Sequence, residues 1–224
     1  MNISPLTLLY LFFALAISVF FLIRAEFMKR RWQFYILKPI STMLVISAAL
    51  MSLQQPSWNR TYTLGVLLGL IFSFAGDIAL MFQEKRKAFL AGLVFFLAAH
   101  IVYAAVFLTL GRFTLWDLVS ALILMAAGAG FYMLIRPNLG SMKGPVIGYI
   151  VVISFTVNRA FSAWASPEFN PAQAWMIASG VLLFYFSDVI LAATKFWKTW
   201  RYNRISLVFY YIGQFLIALA ASYF

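Results

Sequence analysis

The chain has 224 residues, 64% hydrophobic and only 10% charged, with a mean hydropathy of +0.92. So much apolar surface excludes a soluble domain, and its long unbroken runs exclude an outer-membrane barrel, whose strands alternate polar and apolar residues. There is no cysteine, and the single histidine, His100, excludes a three-histidine zinc site; no metal or other cofactor is expected. The net charge of +11 would suggest nucleic acid in a soluble protein. Here the basic residues flank apolar spans, so membrane topology and anionic headgroups account for it and no nucleic-acid partner is expected.

A bilayer core about 30 Å thick needs roughly 20 residues per helix. Eight runs have that length: Pro5–Ile23, Phe34–Leu53, Tyr62–Phe82, Ala88–Leu110, Leu115–Ile135, Pro145–Ala165, Ala172–Thr194 and Ile205–Phe224. The first lacks the basic lead of a cleaved signal and reads as a retained helix. The connections are short, and Pro56, Pro137, Pro167 and Pro171 lie in or beside them. The expected fold is all-α: a polytopic membrane protein with a bundle of eight transmembrane helices, one transmembrane domain over residues 1–224.

The connections alternate in charge. Thirteen of the 17 Lys and Arg follow spans one, three, five and seven, whereas the other connections hold Arg60 and Arg112 only. The positive-inside rule then places both termini on the non-cytoplasmic side.

Two aspartates interrupt the apolar runs. Asp77 lies in Phe72-Ser73-Phe74-Ala75-Gly76-Asp77-Ile78-Ala79-Leu80, and Asp188 in Phe184-Tyr185-Phe186-Ser187-Asp188-Val189-Ile190-Leu191. Of six acidic residues, these two are expected to be buried. An ionised aspartate at mid-membrane costs roughly 2.5–3.5 kcal/mol on insertion scales, so such residues point to function. At 1.5 Å per residue both lie roughly 10 Å from the basic end of the bundle. Lys38, Tyr210 and Tyr211 fall at a similar level, and Gln214 lies one turn deeper. His100, with Tyr103 one turn on, and Arg159, with Asn158 beside it, extend the polar layer inward. This is the profile of a cavity open to the cytoplasm. Structural readings stand beside it: Lys38 and Arg159 can snorkel to an interface or form structural pairs with the two aspartates, and His100, Tyr210, Tyr211 and Gln214 can serve as core hydrogen-bonding groups.

These residues resemble the YhhN-type lysoplasmalogenases. The resemblance rests on Lys38-Pro39 near the start of span two, Gly76-Asp77-Ile78-Ala79-Leu80 in span three, and Phe95 through Tyr103 in span four. It continues with Ser187-Asp188-Val189-Ile190-Leu191-Ala192 in span seven and Tyr210-Tyr211-Ile212-Gly213-Gln214-Phe215-Leu216-Ile217 in span eight. It implies hydrolysis of the sn-1 vinyl ether of a lysoplasmalogen to a fatty aldehyde and a glycerophospho-base. Asp77 and Asp188 would then be catalytic. Lys38, His100, Tyr103, Tyr210, Tyr211 and Gln214 would bind substrate, with Lys38 on the phosphate. Asn158 and Arg159, which no family motif covers, are expected at the substrate from their place in the polar layer. The partners would be a lysophospholipid and membrane lipids, in the plasma (inner) membrane of a bacterium or the endoplasmic reticulum of a eukaryote.

Two other classes use paired membrane aspartates. An intramembrane aspartyl protease wants Gly-x-Gly-Asp and Tyr-Asp; here Phe74 replaces the first glycine and Ser187 the tyrosine. A proton-coupled carrier of a small amphiphile is the stronger alternative, against which stands the lack of an inverted repeat.

Overall fold

The computed structural model describes residues 5–200 and 203–224. Arg201, one of the basic residues of the last connection, and residues 1–4 at the N-terminus lie outside it. Among the described residues every regular element is helical. Eight helices are long and apolar enough to cross a bilayer: α1 (Pro5–Phe27), α2 (Arg31–Met51), α3 (Arg60–Leu80), α4 (Arg86–Leu110), α5 (Leu115–Ile135), α6 (Lys143–Phe161), α7 (Pro171–Phe196) and α8 (Ile205–Ala220). The protein is an integral membrane protein.

The connections divide cleanly between the two ends of the bundle. At one end Arg31 pairs with Glu84, Lys195 reaches the Gln83 carbonyl, Asn138 donates to the Phe196 carbonyl and Arg204 pairs with Glu26. All four basic connections therefore meet there, and we call it the basic end. At the other end Ser57 donates to the Phe224 carbonyl, Asn170 to that of Tyr223 and Ser166 to that of Leu110.

Polar residues start and stop these helices. Asn59 caps α3 by accepting from the Tyr62 N–H. Asn170 and Gln173 form a reciprocal capping box on α7, with Pro171 at its first position, where the missing N–H is no loss. Neighbouring helices pair as hairpins, α1 with α2, α3 with α4 and α7 with α8. In the last of these, Gly180 and Gly213 face each other. A Cβ on Gly213 would stand 2.5 Å from the Gly180 carbonyl oxygen, so only glycine lets the two backbones come so close. Helices α2, α3, α4, α6, α7 and α8 enclose the polar layer. Helices α1 and α5 lie outside, with 22% and 11% of their spans buried against 56% for α6.

Candidate functional site

Asp77 sits in the last turn of α3 and is 1% exposed. Its Oδ2 accepts hydrogen bonds from Thr42 Oγ1 and Tyr210 OH, both at 2.7 Å. Lys38 Nζ lies 3.3 Å from Oδ1. Lys38 and Thr42 are one helical turn apart, so a single face of α2 presents both. Tyr211, next to Tyr210 on α8, donates to the Lys38 carbonyl at 3.1 Å and fixes that turn. Three donors from two helices thus converge on one carboxyl group.

One turn deeper the layer continues through Gln214. Its Nε2 donates to Ser73 Oγ at 2.8 Å, and its Oε1 accepts from Tyr103 OH at 2.8 Å. Ser73 precedes Asp77 by four residues on α3, and Gln214 follows Tyr210 by four on α8. The two helices are therefore laced together at both levels.

Asp188 on α7 has a different environment. Its Oδ2 accepts from Tyr149 OH at 2.8 Å and lies 3.0 Å from His100 Nε2. Oδ1 makes no hydrogen bond among the described residues. The His100 ring packs on Phe184, one turn before Asp188, with centroids 4.3 Å apart and the planes tilted by 34°, and its Nδ1 is buried without a partner among the described residues. By rise alone His100 lies deeper than Asp188. They meet because side chains lean toward the N-terminus of their own helix. On α4 that lean carries His100 toward the basic end, and on the antiparallel α7 it carries Asp188 away from it.

Both aspartates line one cavity with about 530 Å³ of atom-free space, walled also by Lys38, Phe96, Leu191 and Tyr210. Glu26, Phe34, Gln83 and Arg204 form its rim and are shared with a wider vestibule of about 1340 Å³ at the basic end. Lys29, Arg30, Arg31 and Lys85 stand in that vestibule, and the Glu26–Arg204 pair, at 2.9 Å, lies at its junction with the cavity. Among the described residues no three His, Asp or Glu side chains gather as a metal site would require.

The structure thus joins Asp77, Lys38, Tyr210 and Tyr211 in one network, with Gln214 and Tyr103 in a second one turn deeper and Asp188 and His100 across the cavity. Asn158 and Arg159 lie elsewhere. Arg159 pairs with Asp117 at the start of α5 and stacks on Phe113 at 3.9 Å. Asn158 donates to the Asp117 carbonyl and to Ser120 Oγ, both at 2.7 Å. A third aspartate is therefore buried, contrary to expectation: Asp117 is 8% exposed because Arg159 and the α5 cap enclose it. Lys38, expected on a phosphate, is committed to Asp77. Thr42 and Tyr149 were missed. Thr42 carries a usable signal, lying one turn from Lys38; Tyr149, in an apolar stretch of α6, carries none.

Residues 32–221 match the model of the YhhN family. The chain is 32% identical to the bovine protein named lysoplasmalogenase TMEM86A over 178 residues, 75% of this chain and 68% of that one. The human protein of that name is 32% identical over 175 residues, with the same coverage. The uncharacterized membrane protein YhhN of Escherichia coli O157:H7 is 27% identical over 214 residues, 94% of this chain and 97% of that one. No solved structure matches.

Proposed function

The chain belongs to the YhhN family, and on that premise we propose that it is a lysoplasmalogenase, an ether hydrolase that cleaves the sn-1 vinyl ether of a lysophospholipid. The observation that carries this reading is one buried cavity holding two carboxyl groups in unlike surroundings, opening onto a basic vestibule. The names of the bovine and human relatives favour a hydrolase over a carrier.

A vinyl ether reacts by protonation at its β-carbon, which leaves an oxocarbenium ion for water to attack. Asp188 is the acid in this proposal. Its Oδ1 accepts no hydrogen bond among the described residues, and its Oδ2 is held by Tyr149 and His100. Asp77 is the carboxylate, held by Thr42, Tyr210 and Lys38. Asp188 gives its proton to carbon. Water then adds to the cationic carbon and loses a proton to Asp77, forming the hemiacetal. Asp77 returns that proton to the departing glycerol oxygen while the hemiacetal hydroxyl gives its proton to Asp188. The carbon–oxygen bond breaks, an aldehyde forms, and both aspartates regain their starting states. Glycosidases divide oxocarbenium chemistry between two carboxyl groups in a related way.

Depth supports the same substrate. With the basic end cytoplasmic, as the positive-inside rule expects, a lysolipid of that leaflet puts its phosphate among Arg30, Arg31 and Lys85 and its vinyl ether just below, at the aspartates. The test is mass spectrometry of aldehyde released from a lysoplasmalogen by the purified protein. Release that disappears in both Asp77→Asn and Asp188→Asn supports the reading. A wild-type protein that leaves the lipid intact overturns it.

A further inference from the structure

Asp188 borders a second cavity. It is a narrow, almost wholly apolar space between α4, α5, α6 and α7. It shares Asp188 and Leu191 with the aspartate cavity, so the carboxyl group stands at the boundary between a polar chamber and a greasy one. On its far side it shares Gly128 and Ile150 with a third space, a groove of about 1050 Å³ between α5 and α6. Leu124, Met125 and Tyr132 line that groove from α5, and Ile147, Val151 and Phe155 from α6.

From Tyr132 to Ala121 on α5, and from Ile147 to Asn158 on α6, the groove runs eleven residues, or about 16 Å at 1.5 Å per residue. It leads away from the basic end, the direction in which a lysolipid with its phosphate in the vestibule would extend its tail.

We infer that the α5–α6 groove and the chamber beneath it hold the hydrocarbon chain of the lysolipid, with the Gly128–Ile150 junction as the constriction that selects its length and shape. This rests on the hydrolase reading and adds where the tail goes. The occupant follows from continuity: the groove adjoins, at Gly128 and Ile150, the chamber that Asp188 borders, and only the carbon chain adjoins the carbon that Asp188 would protonate. Gly128 packs directly against Ile150 at that junction. A Cβ there would stand 2.8 Å from Ile150 Cγ2, so any side chain pushes Ile150 aside and narrows the space between chamber and groove. Lipid tails are as apolar as this lining, so the groove gains little by burying the chain. Its effect is placement, setting how far the chain must run past Asp188 before the vinyl ether comes into register.

Two experiments test this. Gly128→Leu should lower kcat/KM for a long-chain lysoplasmalogen about tenfold or more, the scale on which misfit in an apolar pocket discriminates. The loss should shrink steadily as the chain is shortened. Gly128→Leu with Ile150→Ala, which returns the lost volume, should recover much of the long-chain activity. An equal loss at every chain length, or no loss, overturns the inference. The second needs no turnover, so its failure is separable from failure of the hydrolase reading. A saturated-ether lysolipid with a photoreactive group on its chain should label α5 and α6 within 121–132 and 147–158 in the wild-type protein, and excess unlabelled lysolipid should suppress that label. Label confined to the outer faces of the bundle, or indifferent to the competitor, overturns it.

Discussion

Two buried ion pairs divide this molecule, Lys38 with Asp77 and Arg159 with Asp117. By composition they are alike, a basic side chain against an aspartate, each largely withdrawn from solvent. Their surroundings differ. Asp117 spends its carboxylate on the first turn of α5, accepting from the Thr114 N–H and hydroxyl in a capping box. Arg159 lies over Phe113 and is braced by the Asn158 side chain. Every group in that cluster ties the start of α5 to the end of α6. Asp77 instead gathers donors from α2 and α8 and opens on a cavity that a second carboxyl group shares. A buried charge in a membrane protein is thus no sufficient mark of a reactive site. What separates the two pairs is access, and a partner group across the space.

The largest expected effect comes from removing the two carboxyl groups proposed to carry protons. Asp77→Asn and Asp188→Asn should each cut turnover by roughly 10²–10⁴, the usual contribution of a general acid or base, while the purified variants keep their helical content. More than a tenth of wild-type turnover in either would strike that residue from the mechanism.

The other pair should respond in stability. Asp117→Asn leaves the Arg159 charge buried without a counter-ion, which costs about 3–5 kcal/mol in comparable sites; a lowered thermal unfolding midpoint in detergent measures it. Arg159→Met combined with Asp117→Leu should be milder than either single change, because no charge is then stranded. Turnover per folded molecule should stay close to wild type in these variants. If it falls as far as in Asp77→Asn, the two pairs are not as different as their surroundings imply.

Lys38→Gln sharpens the contrast within the site. Lys38 Nζ touches Asp77, so the variant should lose turnover by on the order of tenfold with KM little changed, the signature of an interaction made in the transition state. Arg30→Gln and Arg31→Gln in the vestibule should do the reverse. They should raise KM by about two- to fivefold with kcat preserved, and the effect should fade in high salt, as expected for exposed charges. A KM effect at Lys38 would return it to the phosphate role that its place in the sequence suggests.

Hydropathy was enough to place all eight helices, and the basic connections marked which ends lie together. Polar residues inside apolar runs pointed to Asp77, Asp188, Lys38, His100, Tyr210 and Gln214, because each is costly in a membrane without a partner. Which partner each would find was not legible. Asp77 meets α8 and Asp188 meets α4, pairings set by how the helices are arranged around the bundle. Hydrophobic periodicity carries little of that information when lipid and core are equally apolar. For the same reason the α5–α6 groove left no trace, and Tyr149 looked like any other aromatic residue. Arg159 was visible as a buried cation, but its distance from the aspartate cavity depends on α5 lying at the edge of the bundle, which composition does not reveal.

The central claim is that Asp188 delivers a proton to carbon in a vinyl ether. The most direct test is turnover of a lysoplasmalogen in deuterated water, with the aldehyde trapped as it forms and weighed. The wild-type protein should release aldehyde carrying one deuterium on the carbon beside the carbonyl, and Asp188→Asn should release almost none. The ester lysolipid of the same chain and headgroup should remain intact. Aldehyde free of deuterium, or rapid cleavage of the ester, would contradict the mechanism.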